Sequence, residues 1–115
     1  EYMNKNITHF TWKSHWEAAL KKGFYRPHDF EKDGFMHCST IKQVVATANR
    51  YSPGEKNIVL LLIDTNLLLL PLKYEARKST GEMYPHIYGD LNLDAVIAVH
   101  DFQWDEKKET FEMPF

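Results

Sequence analysis

The spacing of apolar residues along the chain predicts two helices. Apolar positions recur at helical intervals through residues 12–20, which gathers them on one face of the first helix. Ser14 and Glu17 have the three-residue spacing of a capping box, and Gly23 follows two lysines where this helix should end. A second apolar face recurs through residues 41–50, after a second pair with capping-box spacing, so we predict another helix there.

Runs rich in apolar and β-branched residues predict strands around these helices. The run 58–63 is apolar at every position, which is typical of a central strand covered on both faces. The segment 27–34 is polar and is predicted to be a loop. We predict an α+β domain over residues 1–115, in which the two helices pack on a split β-sheet. The other predicted strands are 7–10, 24–25, 35–38, 72–76, 84–88 and 95–102, with Trp104 and Phe111 on a terminal strand.

Composition limits the classes of function. The 115 residues are 43% hydrophobic and 26% charged, as in an ordinary folded domain. The formal net charge is -2 and the basic residues are spread along the chain, which argues against binding of duplex nucleic acid. The longest apolar run is interrupted by polar residues and is too short to cross a bilayer. A single cysteine and no apolar targeting segment lead us to predict a cytoplasmic protein without a membrane partner.

Three histidines lie in similar settings. His9, His37 and His86 each fall near the end of a predicted strand, beside apolar or aromatic neighbours. Because strand ends hold side chains rigidly at one rim of a sheet, we predict that the three converge on one cleft. Each histidine alone is more typical of a structural residue bonded to backbone, and it is the three matching settings that favour a shared site. His15, His28 and His100 are predicted to be solvated.

Cysteine chemistry and metal binding are the alternatives that these residues suggest. Cys38 directly follows His37, and adjacent strand residues point to opposite faces. We therefore predict that Cys38 is a buried thiol and not a nucleophile. Zinc binding by His9, His37 and His86 is conceivable, but no close-spaced pair of histidines supports it. We predict that no metal is needed.

The same motifs resemble the DUF952 family over about residues 6–103. Members of that family are small uncharacterised proteins, sometimes labelled glutathione S-transferase domain proteins. This chain is too short for the helical second domain which that label implies. The residues that carry the resemblance are Ile7-Thr8-His9-Phe10-Thr11, the tryptophan-containing first helix, Gly34-Phe35-Met36-His37-Cys38-Ser39-Thr40 with Gln43, Tyr74-Glu75, and Tyr84-Pro85-His86-Ile87-Tyr88-Gly89.

DUF952 in turn looks like a remote branch of the ADP-ribosyltransferase superfamily, closest to the RNA 2′-phosphotransferases that use NAD. This resemblance implies an ADP-ribosyltransferase-like split sheet with a histidine-lined cleft. It also implies binding of NAD or an ADP-ribose-like nucleotide, and transfer of ADP-ribose to an acceptor that the sequence does not identify. In this interpretation His9 and Thr11 anchor ribose, His37 and Ser39 line the cleft, Tyr88 stacks on nicotinamide, and His86 or Glu75 lies nearest the reacting carbon.

One departure from the superfamily pattern keeps other functions open. Many active members place a glutamate at the start of a late strand, and here the strand 95–102 has no glutamate at its entrance. Asp94 is the nearest acid, and Glu75 or His86 are the other candidates to replace that glutamate. The alternatives are a non-catalytic domain that binds a small ligand or a partner, and a metal-dependent hydrolase.

Overall fold

The computed structural model describes residues 6–115 and shows a mixed α+β domain, which confirms the predicted class. Residues 1–5, which the predicted domain includes, lie outside the described residues. Two short 3-10 turns occur at Thr65–Leu67 and Leu93–Ala95. The helices and strands are β1 (Asn6–Trp12), α1 (Lys13–Lys22), β2 (Phe24–Tyr25), α2 (Phe30–Asp33), β3 (Met36–His37), β4 (Ser39–Thr40), α3 (Val44–Tyr51), β5 (Ile58–Asp64), β6 (Leu72–Ala76), β7 (Met83–Ile87), β8 (Leu91–Asn92), β9 (Val96–Asp101), β10 (Trp104–Asp105) and β11 (Thr110–Phe111).

A four-stranded antiparallel sheet forms the centre of the domain, in the order β4-β1-β5-β9. Alternate residues of β5 enter two separate apolar clusters. Val59, Leu61 and Ile63 pack in one cluster, and Ile58 and Leu60 pack in the other. The apolar run of β5 is therefore covered on both faces, as its sequence predicts.

One longer helix covers each face of this sheet. Helix α1 buries Trp16 and Ala19 in the first cluster, and α3 buries Val44 and Ala48 in the second. Gly23 ends α1 in the left-handed conformation at φ 93°, and its N–H donates to the carbonyl of Ala19. The two predicted helices are thus the ones that close the core.

A second sheet, in the order β3-β7-β6, lies beside the first. Strand β1 pairs with β5 along its whole length but with β4 only at Ile7 and Thr8. Beyond Thr8, β1 extends past the end of β4. The strand that precedes β4 in the chain, β3, belongs to the second sheet. This separation leaves a gap between the edge of β1 and the second sheet.

Three local predictions were wrong. The segment 27–34, predicted as a loop, contains the four-residue helix α2. Ser14 does not cap α1, because β1 continues to Trp12 and the Lys13 N–H donates to Asn57, which moves the start of the helix to Lys13.

Helix α3 begins three residues later than predicted. The Gln43 side chain accepts from the Thr40 N–H at 3.0 Å, which is one half of the predicted capping box. Thr40 itself pairs with Ile7 in the sheet. This pairing holds the chain extended at Thr40, so α3 starts at Val44.

Within residues 6–115, no helix is long and apolar enough to span a membrane.

Candidate functional site: a histidine-lined cleft

The gap between the two sheets forms a cleft of about 710 Å³. Its walls are the open edge of β1, one face of the second sheet, and the segment around α2. Tyr88 is the one predicted site residue that does not line it. The predicted residues that do line it are His9, Thr11, His37, Ser39, Glu75 and His86.

Strand register explains why His37, His86 and Glu75 share one face of the second sheet. His37 on β3 is directly opposite His86 on β7, so both side chains lie on the same side. On β6, Glu75 is opposite Tyr84, two residues from His86. The intervening residues of β7, Pro85 and Ile87, are buried on the other face. The polar face of this sheet is therefore the wall of the cleft.

Glu75 accepts two short hydrogen bonds on this wall. Its Oε1 accepts from His86 Nδ1 at 2.7 Å and from the Tyr88 hydroxyl at 2.6 Å. These hydrogen bonds, Tyr88 first, hold the pKa of Glu75 below its ordinary value, and the same contact raises the pKa of Tyr88. Glu75 is thus ionised at neutral pH. Its carboxylate accepts from Tyr88 and orients the His86 ring.

Phe35 supports the histidines, a role that its place in a predicted strand does not indicate. Its ring stacks on that of His86 with 4.1 Å between centroids, and lies 4.6 Å from His37 and 5.4 Å from Tyr88. The His37 and His86 rings are 5.3 Å apart. An aromatic ring therefore fixes the positions of both histidines on the cleft wall.

His9 is held differently, because both of its ring nitrogens have partners inside the protein. Its Nδ1 lies 2.6 Å from the His37 carbonyl, which only accepts, so Nδ1 carries the proton. Its Nε2 then accepts from the Tyr25 hydroxyl at 2.9 Å. Burial lowers the pKa of His9 to about 4. His9 is therefore a neutral ring that ties β1 to β2 and β3.

Thr11 reaches this group through Tyr25. A hydrogen bond between Thr11 and the Tyr25 hydroxyl partly opposes the effect of burial, which raises the pKa of Tyr25. Ser39 is buried, and its carbonyl accepts from the Thr8 hydroxyl at 2.8 Å. Both predicted residues line the cleft. The contact of Thr11 joins β1 to β2, and that of Ser39 joins β4 to β1 within the first sheet.

The possible metal ligands that the structure brings together differ from the three histidines considered above. Oxygen or nitrogen atoms of Asp29, Asp33 and His37 lie within 4.8 Å of one another, and among residues 6–115 this is the one such group. His37 Nε2 donates to Asp33 at 2.8 Å. Helix α2 brings the two aspartates together, and the left-handed Gly34 turns the chain so that His37 returns beside them. The regular spacing of four residues was the sequence signal.

The remaining predicted side chains have separate positions. Cys38 is buried on the face opposite His37, and burial raises the pKa of its thiol. His28 is exposed as predicted, whereas His15 and His100 are half-buried. Asp94 is exposed, accepts from Asn92 at 2.6 Å and does not line the cleft.

The chain belongs to the DUF952 family, described as proteins of unknown function, whose model matches residues 10–99. This confirms the family that the sequence motifs indicated. The crystal structure of CC0527 from Caulobacter crescentus has 29% sequence identity and a TM-score of 0.84, with 93% of each chain covered. The solution NMR structure of the same protein has 29% identity and a TM-score of 0.80, with 93% of this chain and 91% of that chain covered. No curated protein matched the chain.

Proposed function

We propose that the cleft binds NAD or an ADP-ribose-like nucleotide, and that the domain is a remote relative of the ADP-ribosyltransferases. The observation that carries this proposal is the ionised Glu75, held by His86 and Tyr88 on the wall of a cleft between two separated sheets. The resemblance of the histidine motifs to the superfamily supports the same ligand.

The size and composition of the cleft suit a small-molecule ligand. A volume of about 710 Å³ lies within the range of roughly 300–1,000 Å³ that is usual for ligand and cofactor sites. Aromatic rings and a few fixed polar groups line the cleft, and such a lining gives both apolar contact and orientation.

Transfer chemistry in this cleft would depend on Glu75. The bond between ribose C1′ and the nicotinamide nitrogen breaks, nicotinamide leaves with the bonding pair, and the ribose gains positive charge. A lone pair of the acceptor would then form the new bond to C1′, and the proton that the acceptor loses would pass to solvent. A preorganised carboxylate stabilises this developing charge. Glu75 Oε1 holds both recorded hydrogen bonds, so Oε2 is the oxygen that would face the ribose.

Two assigned roles change in this proposal, and Phe35 gains a role. Tyr88 holds Glu75 and does not stack on nicotinamide, because it lies outside the cleft lining. His9 positions β1 against β3 and does not anchor ribose, because its ring nitrogens are occupied. Phe35, in contact with His86, is the aromatic ring available to the nicotinamide end.

A thermal-shift screen with NAD, ADP-ribose, nicotinamide and phosphorylated RNA ends tests the proposal. A ligand at one hundred times its dissociation constant should stabilise the fold by about 2.7 kcal/mol. Glu75→Gln should reduce nicotinamide release about tenfold or more, because a contact to a charged group is lost. Glu17→Gln, on the exposed side of α1, is the matched control. No shift with either NAD or ADP-ribose at millimolar concentration would sink the proposal.

Non-catalytic binding of the same nucleotide is the second candidate. It is favoured by the position of Asp94, which is bonded to Asn92 outside the cleft and does not replace the missing glutamate. Nicotinamide release, measured on protein that binds NAD, separates the two. Turnover that Glu75→Gln abolishes supports transfer, and saturable binding without turnover supports the non-catalytic domain.

A further inference from the structure

An exposed tryptophan lines the cleft without serving the core. Trp12 is 37% exposed and belongs to neither apolar cluster. Its Nε1 donates to Glu55 at 3.2 Å, which fixes the plane of the indole. An aromatic ring that is held in place on a cleft wall offers a flat face on which a planar ligand group can stack.

Two histidines extend this aromatic surface. The His15 ring meets Trp12 edge-on at 5.1 Å between centroids, and the His28 ring lies 5.5 Å from Trp12. The two imidazoles are 5.9 Å apart. Their nitrogens can donate to or accept from the edge of a ring that stacks beside them.

Arg77 adds a cation to the same cleft. It is half-buried and lines the cleft. Its guanidinium carbon lies 5.8 Å from the centroid of the Tyr51 ring. Among the described residues no carboxylate pairs with its guanidinium, whereas Arg26 pairs with both Glu31 and Asp90. An unpaired guanidinium in a cleft suits a phosphate, which it can bind through two parallel hydrogen bonds.

Trp12 is separated along β1 from His9, which contacts the second sheet through the His37 carbonyl. It follows His9 by three residues on β1, and a strand rises about 3.3 Å per residue, so the two lie about 10 Å apart along the strand. His9 bonds to the backbone of His37, which is next to His86. A ligand that reaches from Trp12 to the His37 end of the cleft would therefore place a different chemical group at each of these two positions.

We propose that Trp12 is the stacking platform for the nucleobase of the bound nucleotide and that Arg77 binds its phosphate. This inference rests on the proposed function and assigns a direction to the ligand. The adenine end lies at Trp12, and the ribose that carries nicotinamide lies at Glu75 and His86. Stacking on an aromatic face does not depend on the identity of the base, so the ligand class is a nucleoside phosphate.

Calorimetric titration with ADP-ribose and with nicotinamide mononucleotide tests the direction. Trp12→Leu should weaken ADP-ribose binding about 5- to 150-fold and leave the mononucleotide, which has no adenine, unchanged. Trp12→Phe keeps an aromatic face and should retain most of the affinity. Arg77→Gln should weaken both ligands, because both carry phosphate.

Two controls and the melting temperature of each variant complete the experiment. Tyr74→Leu removes an exposed aromatic ring outside the cleft, and Arg50→Gln removes an exposed cation outside it. Neither change should alter binding of either ligand. Unchanged ADP-ribose affinity in Trp12→Leu, or an equal loss for both ligands, would overturn the assignment while leaving the proposed function intact. If the wild-type protein binds neither ligand, the proposed function fails and this inference fails with it.

Discussion

His9 and His86 both line the cleft, but their surroundings give them opposite chemistry. His9 is buried, neutral, and bonded through both ring nitrogens. His86 donates one nitrogen to a carboxylate and stacks on Phe35. At the scale of single residues, His86 is therefore the histidine that can meet a ligand, and His9 is the one whose removal should affect the fold.

We predict that His9 makes the fold less stable in acid. Its pKa is about 4 in the folded protein and 6.5 ordinarily. Between these values the unfolded imidazole binds a proton that the folded one does not, so protonation favours unfolding. The free energy of unfolding should fall by up to about 3 kcal/mol as the pH is lowered from 6.5 to 4, and this contribution should be constant above 6.5.

His9→Gln isolates this effect, since a glutamine amide can donate to one partner and accept from the other without titrating. Urea unfolding of both proteins at several pH values gives the difference. The variant should lose part of the acid sensitivity of the wild type. The same pH dependence in both proteins would show that His9 is protonated in the fold and that its assigned hydrogen bonds are wrong.

We predict that His37→Ala keeps the fold, whereas Trp16→Ala and Val59→Asp damage it. The His37 side chain is 51% exposed. Trp16 and Val59 are buried in the first apolar cluster, where truncating a tryptophan costs roughly 3–5 kcal/mol and an unpaired charge is very unfavourable. Melting curves measure all three. If His37→Ala melts as early as Trp16→Ala and keeps its ligand-induced shift, His37 is a structural residue.

At the scale of elements, alternation along β7 separates the site from the core. We predict that Ile87→Ala lowers stability by about 2–5 kcal/mol, because Ile87 is fully buried. His86→Ala, one residue away, should change the melting temperature much less and should raise the pKa of Glu75, because it removes one of the hydrogen bonds that lower that pKa. NMR titration of Glu75 gives this pKa. An unchanged pKa would mean that the contact with His86 is absent in solution.

Sequence periodicity predicted those elements whose residues contact their own core. The apolar spacing of α1 and α3 and the continuous run of β5 correspond to faces that are buried in the structure. Helix α2 has four residues and no buried one, so it offers no periodicity to detect. The starts of α1 and α3 were misplaced because pairing within the sheet, and not local capping, sets them.

The site was only partly predictable for the same physical reason. Matching local settings of His9, His37 and His86 predicted one cleft, and all three line it. The partners of His9 are Tyr25, sixteen residues away, and His37, twenty-eight residues away, and no local pattern indicates such contacts. Arg77 was not predicted, because only the folded chain shows that no carboxylate within residues 6–115 pairs with it. The composition of the candidate site therefore depends on long-range contacts.

At the scale of the whole molecule, we predict that the fold needs no metal. Asp29, Asp33 and His37 belong to neither of the two apolar clusters that hold the domain together. All three line the cleft. Treatment with EDTA should therefore leave the melting temperature unchanged. Asp33→Asn should melt like the wild type, as should Asp101→Asn, a control at an exposed strand end. The prediction would be overturned by zinc that binds in a one-to-one ratio, resists chelation, and takes the fold with it when it is removed. If Asp33→Asn also fails to retain this zinc, the result favours a metal-dependent enzyme.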